Sequence, residues 1–185
     1  MDELAEEAGI EPFSYRMQLL GGAPRLARCL TTVATLGNWQ GGIAGSGQGI
    51  AAHSCFGSHV AMLAELHVNE GRIILDRIVA VVDCGRMIHP DIVRQQIEGG
   101  IIWGISGAMG NAISVERGLV TARNFDGLGL PILADTPEII VELIENKESP
   151  GGVGEIAVPP VAPALANALY AATGERARSL PLRQS

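Results

Sequence analysis

The sequence predicts an α+β fold in which helices cover an antiparallel sheet of about three to four strands. Helix signals fill the first forty residues and two later stretches, whereas the residues between about 48 and 82 alternate in polarity or are β-branched. Of 185 residues, 47% are hydrophobic but only 4% are aromatic. We therefore expect a compact domain with a mostly aliphatic core.

The first forty residues predict an N-terminal helical segment, residues 1–40, which precedes an α+β domain at 41–185. Asp2 is placed to cap a short first helix, and Pro12 and Pro24 suit the first turns of two further helices. A glycine follows each helix. We expect these helices to pack against the domain and to carry no chemistry of their own.

A period of two replaces the helical pattern in the next part of the chain. Residues 58–68 alternate, with apolar side chains on one face, and predict a strand that is buried on one side. A turn at 69–72 leads into the β-branched run 73–82, so the two form an antiparallel hairpin. Residues 48–56 predict a further strand, and 139–144 a short one.

A long helix is predicted from Pro90 to about Met109, with an aliphatic stripe along one face. It contains four glycines, each of which destabilises a helix by about 0.5–1 kcal/mol relative to alanine. We therefore expect this helix to press against another backbone or a ligand. A glycine-, proline- and aspartate-rich loop follows at 122–137, and a last helix at 162–173 ends at Gly174.

Composition excludes several classes of partner. Thirteen basic against twenty acidic residues give a net charge of −7, and the basic residues are scattered, which argues against nucleic acid or an anionic membrane. The acidic N-terminus and the lack of a long apolar run indicate neither a signal peptide nor a membrane span. Three widely spaced cysteines favour a reducing compartment. We expect a cytoplasmic protein, or a periplasmic one if the full-length protein carries an upstream signal.

Common nucleotide and metal motifs are weak in this sequence. Gly47-Gln-Gly49-Ile-Ala-Ala52 matches a loose dinucleotide fingerprint, but a strand pattern follows it instead of a helix. The four histidines lack the spacing that places two metal ligands on one helix face, so we expect no protein-ligated metal.

The segment Pro150-Gly-Gly-Val-Gly-Glu155 stands out as a candidate site. Three glycines let the backbone approach a ligand closely, and they deliver one carboxylate at the end of an apolar run. Poor hydration there would suit Glu155 to act as a general base. The alternative is a surface turn whose glutamate faces water.

Four segments, in this order along the chain, resemble a known family. They are the run from Gly49 to Val68, Asp83-Cys84-Gly85 with Pro90, Gln96-Ile-Glu-Gly-Gly100, and Gly152-Val-Gly-Glu155 with Pro159 and Pro160. Together they look like the C-terminal part of the molybdopterin-binding subunit in the xanthine dehydrogenase/aldehyde oxidase family. The likeness extends over nearly the whole chain.

The resemblance implies molybdenum held by a molybdopterin, usually the cytosine dinucleotide form in bacteria. Such enzymes hydroxylate a carbon beside a ring nitrogen, or an aldehyde carbon, with oxygen taken from water. By the same resemblance, Glu155 would be the general base, and Gln96 would contact the pterin. The backbone of Gly152, Val153 and Gly154 would approach the molybdenum ligands.

The resemblance also implies partners, since subunits of this family are several times longer than 185 residues. They are the remaining part of the molybdenum-binding subunit, a [2Fe-2S] subunit, and a small heterocycle or aldehyde as substrate. We expect this chain alone to be inactive. Two alternatives stay open: a non-catalytic binding or assembly module with the same fold, and an unrelated small α+β domain that binds a ligand at its glycine loops.

Overall fold

The structure, a computed structural model, describes residues 1–110 and 112–183. Two 3₁₀ turns, Phe125–Leu128 and Leu133–Asp135, lie in the long loop before the last strand. The helices and strands follow in the order α1 (Asp2–Glu7), α2 (Pro12–Leu19), α3 (Pro24–Leu36), β1 (Gln48–Cys55), β2 (Ser58–Asn69), β3 (Arg72–Asp83), α4 (Pro90–Met109), β4 (Val115–Glu116), β5 (Leu119–Val120), β6 (Glu138–Leu143) and α5 (Val161–Thr173).

The main sheet has four strands in the order β1-β2-β3-β6, which confirms the α+β class and the predicted number of strands. Strands β1, β2 and β3 are antiparallel neighbours, as predicted. The fourth strand differs, because β6 runs parallel to β3, with Val141 opposite Ala80. The connection from β3 to β6 passes through α4 and the long loop, and such a crossover brings the chain back in the same direction. The sheet is therefore mixed and not wholly antiparallel.

Strand β2 is buried on both faces for most of its length, whereas the alternation predicted burial on one face only. Val60 and Met62 belong to one apolar cluster, which α4 and α5 complete. Ala61 and Leu63 belong to a second cluster, with Cys29, Leu30 and Val33 of α3. Helix α3 covers the face that the pattern assigned to solvent, and so contributes a second apolar layer to the fold.

Helix α1 begins at Asp2, which does not cap it, so this detail of the prediction was wrong. The Asp2 carboxylate instead pairs with Arg16 of α2 at 2.5 Å, and both side chains are 9% exposed. Arg16 also donates a hydrogen bond to the carbonyl of Ile50 in β1, at 3.1 Å. This pair ties the first two helices to the edge of the sheet.

Two of the four glycines in α4 make the close contact that the sequence predicts. A Cβ atom at Gly104 would lie 2.6 Å from Cγ2 of Val161, and one at Gly100 would lie 3.1 Å from Cβ of Ala157. In contrast, outside the local helix backbone no atom of residues 1–110 and 112–183 lies within 4 Å of the Cβ positions of Gly99 and Gly107. The first pair lets α4 approach the start of α5, and the second pair leaves the backbone of α4 open.

Asp83, the last residue of β3, is 1% exposed and connects three segments. Its Oδ1 atom accepts hydrogen bonds from Arg25 of α3 at 2.5 Å, from the amide of Gly85 at 3.1 Å, and from the side chain of Asn146. Burial by itself would raise the pKa of Asp83, but these hydrogen bonds outweigh it and hold the pKa below its ordinary value.

The glycines of α4 predict opposite effects of one substitution within a single helix. Gly107→Ala should raise the free energy of unfolding by about 0.5–1 kcal/mol, because alanine favours helix and the site has room. Gly104→Ala should lower it by about 1–3 kcal/mol, because the methyl group collides with Val161. Urea unfolding followed by circular dichroism measures both, and stabilisation by Gly104→Ala would contradict the packing of α4 on α5.

Asp83→Asn should lower the free energy of unfolding by about 2–3 kcal/mol at pH 7. This is less than the full effect of breaking a buried ion pair, because the side chain of Arg25 is 27% exposed. The folded-state pKa of Asp83 lies below 3.8, so its stabilisation is complete above that pH and is lost as the pH falls through the lowered pKa. Urea unfolding at several pH values should show the difference shrinking below about pH 4; a constant difference would contradict this assignment.

Candidate functional site

The glycine-rich loop at 149–155 lies against the turn between β1 and β2. The amide of Gly152 donates a hydrogen bond of 2.8 Å to the carbonyl of Phe56 in that turn. The amide of Gly151 donates one of 2.8 Å to the carbonyl of Cys84, directly after β3. Two successive amides of the loop are therefore hydrogen-bonded, one to the β1–β2 turn and one to the residue that follows β3.

The glycines of this loop serve two different purposes. A Cβ atom at Gly151 would lie 2.2 Å from Oγ of Ser58, and one at Gly152 would lie 2.9 Å from Cβ of Phe56. These two glycines are thus required by packing within the chain. Apart from its chain neighbours, no described residue has an atom within 4 Å of the Cβ position of Gly154, so its backbone is open to a ligand.

Glu155 follows this open glycine and is exposed, while the next two residues, Ile156 and Ala157, are buried. Burial and then the negative charge of Glu155 raise the pKa of the Cys55 thiol, which places Glu155 close to the end of β1. Within residues 1–110 and 112–183, no basic side chain forms an ion pair with Glu155. The dry surroundings expected for a general base are not supplied by these residues.

Phe56 is a residue that the sequence analysis did not select. It lies in the β1–β2 turn with a positive φ of 51°, and 66% of its surface is exposed. Phe56 and Gly57, with φ of 51° and 76°, form the two-residue turn of the hairpin, and this turn holds the Phe56 side chain out towards the glycine loop. Its signal in the sequence is the Phe56-Gly57 step between two strand patterns, which marks a tight turn.

Gln96 is exposed on α4, one turn before Gly100 and about 6 Å from it along the helix axis. Gly100 contacts Ala157, two residues after Glu155, so α4 and the end of the glycine loop meet at this point. Among the described residues, Gln96 makes no hydrogen bond to the loop. The exposed side chain of Gln96 and the open backbone of Gly99 and Gly154 leave room for a polar, extended ligand, and fit a cofactor bound through hydrogen bonds.

A groove of about 910 Å³ extends along the same helix and is mostly apolar. It is lined by Trp103 and Gly107 of α4, by Phe125 and Leu130 of the long loop, and by Leu180. Among the described residues, no three His, Cys, Asp or Glu side chains gather into a set that could hold a metal. No helix within residues 1–110 and 112–183 has the length and hydropathy needed to span a membrane.

Comparisons with known proteins agree on one family. The model described as a molybdopterin cofactor-binding domain matches residues 34–137, which include Gln96 but not Glu155. The isoquinoline 1-oxidoreductase subunit beta of Brevundimonas diminuta is 33% identical over 99% of this chain and 24% of that protein. The aldehyde oxidoreductase molybdenum-binding subunit of Escherichia coli is 32% identical over 70% of this chain and 19% of that protein.

Solved structures agree with these relatives. The aldehyde oxidoreductase of Desulfovibrio desulfuricans shares 26% identity and a TM-score of 0.58 over 67% of this chain and 14% of that chain. This chain thus spans a quarter or less of the length of these relatives. The family model covers more than half of the 185 residues. The chain therefore belongs to the family of molybdopterin cofactor-binding domains, within the molybdopterin-binding subunits of the xanthine dehydrogenase/aldehyde oxidase family.

Proposed function

We propose that this chain forms the part of a molybdenum hydroxylase that carries the general base and one side of the molybdopterin site. The observation that carries this proposal is Glu155, an exposed carboxylate without an ion-pair partner among the described residues, directly after the open backbone of Gly154. The names of the relatives support an N-heterocycle or an aldehyde as the substrate.

In this proposal the chain contributes a general base, Glu155, and groups that bind the cofactor. When bound, a molybdopterin with molybdenum supplies the two-electron redox chemistry and makes water more acidic. Glu155 would take up a proton from the water that supplies the oxygen, and the hydrogen-bonded loop before it limits where its carboxylate can lie. The side chain of Gln96 would donate a hydrogen bond to the pterin, and the backbone at Gly152, Val153 and Gly154 would help to hold the molybdenum end of the cofactor.

The remaining parts of the proposal concern the complete enzyme. We assign it the cytosine dinucleotide form of the cofactor, a [2Fe-2S] subunit as electron acceptor, and a cytoplasmic location. Cys29, Cys55 and Cys84 are all free thiols, which supports a reducing compartment and leaves no cysteine set here for an iron–sulfur cluster. The rest of the molybdenum-binding subunit would close the site around Glu155 and exclude water from it.

Glu155→Gln in the assembled enzyme tests the central assignment. Glutamine keeps the size of the side chain but cannot take up the proton, so kcat should fall by about 10²–10⁴-fold. Molybdenum content, measured by mass spectrometry on the same sample, should stay at the wild-type level. Glu145→Gln, an exposed change before the loop, is the matched control and should leave kcat unchanged.

Unchanged turnover in fully loaded Glu155→Gln would refute the role of Glu155 and favour a non-catalytic module with the same fold. A fall in molybdenum content that matches the fall in kcat would also refute it, because Glu155 would then serve the cofactor and not the chemical step.

Gln96→Ala should have the opposite effect. Losing one hydrogen bond to the cofactor should weaken cofactor retention by about 2–10-fold during dialysis, while kcat per bound molybdenum stays near the wild-type value. Gln95→Ala, at the neighbouring exposed position of α4, is the control and should retain the cofactor normally. Equal retention in both variants would remove Gln96 from the cofactor site.

A further inference from the structure

We infer that Arg25, near the start of α3, is a positioning residue for Glu155, because its guanidinium holds both strand ends on which the glycine loop rests. This inference rests on the proposed function of Glu155. It assigns a role in the site to the N-terminal helical segment, which lies largely outside the matched range of the family model.

The guanidinium of Arg25 spans two separate chain segments. Its Nη1 atom donates a hydrogen bond of 3.3 Å to the carbonyl of Gly57, in the turn between β1 and β2. Its Nη2 atom donates one of 3.3 Å to the carbonyl of Asp83 and one of 2.5 Å to Oδ1 of the same residue. One planar group therefore fixes the turn relative to the end of β3.

The glycine loop binds directly beside these two points. The amide of Gly152 bonds to Phe56, the neighbour of Gly57, and the amide of Gly151 bonds to Cys84, the neighbour of Asp83. Any change in the spacing of the two strand ends is thus passed to two successive amides of the loop. Glu155 follows three residues later.

The entry to the loop depends on the same carboxylate. Oδ1 of Asp83 accepts a hydrogen bond from the side chain of Asn146, and the amide of Arg86 bonds to the carbonyl of Glu148 at 2.9 Å. These contacts hold the chain at residues 146 and 148, just before the loop, and at residues 151 and 152 within it. Arg25 lies at the centre of this set, since it contacts both the carboxylate and the turn.

Arg77 provides a matched control on the same sheet. It forms an ion pair of 2.7 Å with Glu65 and donates to the carbonyl of Gly37, and its side chain is 25% exposed, against 27% for Arg25. Neither Glu65 nor Gly37 is among the described residues to which the amides of Gly151 and Gly152 bond. Replacing either arginine removes a comparable pair, but only the loss of Arg25 should release the loop.

Hydrogen exchange of the full chain, followed by NMR, tests the inference without the cofactor. In Arg25→Ala the amides of Gly151 and Gly152 should exchange about tenfold faster or more relative to the core amides of β2. In Arg77→Ala their relative rates should change by less than about twofold. Unchanged rates in Arg25→Ala, or an equal rise in both variants, would overturn the inference.

Arg25→Lys keeps the test decisive if Arg25→Ala does not fold. Lysine retains a cation for Asp83 but lacks the fork that also reaches Gly57, so exchange should accelerate more at Gly152 than at Gly151. Equal wild-type protection at both amides would overturn the inference.

In the assembled enzyme, Arg25→Lys should lower kcat severalfold while KM and molybdenum content stay near wild type. Loss of the cofactor with unchanged kcat per molybdenum would overturn the positioning role. The exchange result does not depend on the chemistry of Glu155, whereas Glu155→Gln does, so failure of the inference and failure of the proposed function are separable.

Discussion

A carboxylate buried at the end of a central strand must be paired, because an unpaired buried charge is strongly destabilising. Asp83 occupies such a position, and its partners come from α3, from the backbone just after β3, and from the segment that leads into the glycine loop. Satisfying this one group therefore brings two distant parts of the chain, α3 and the segment at Asn146, to the end of β3. The candidate site is built around that convergence.

The sheet explains why the convergence is rigid. The central strands β2 and β3 are covered by α3 on one face and by α4 and α5 on the other, so their ends cannot shift without disturbing two apolar clusters. Loops that rest on such strand ends acquire a fixed position while remaining exposed. The glycine loop has this character, since its amides bond to strand connections and its last residue, Glu155, is open.

Local signals predicted the elements well, and nonlocal contacts account for the differences. The bounds of α4 follow from Pro90 and an aliphatic stripe within one window, and the hairpin of β2 and β3 follows from alternation and a turn. The direction of β6 depends on where the long connection from β3 returns to the sheet. A short stretch of sequence does not contain that information. Likewise, the second buried face of β2 requires α3, more than twenty residues earlier in the chain.

The candidate site shows the same division. Glycine density and one carboxylate led to the prediction of the loop and Glu155 as a candidate site, but the partners that hold the loop could not be predicted. Arg25 lies in an amphipathic helix, where an arginine that faces solvent and one that bridges two strand ends have the same local pattern. The sequence likewise does not show why a given glycine is needed. A side chain at Gly151 would collide with Ser58, whereas Gly154 faces open space. Only the folded structure distinguishes the glycines that are needed for packing from those that leave room for a ligand. In this loop the glycine with the open backbone is Gly154, directly before Glu155.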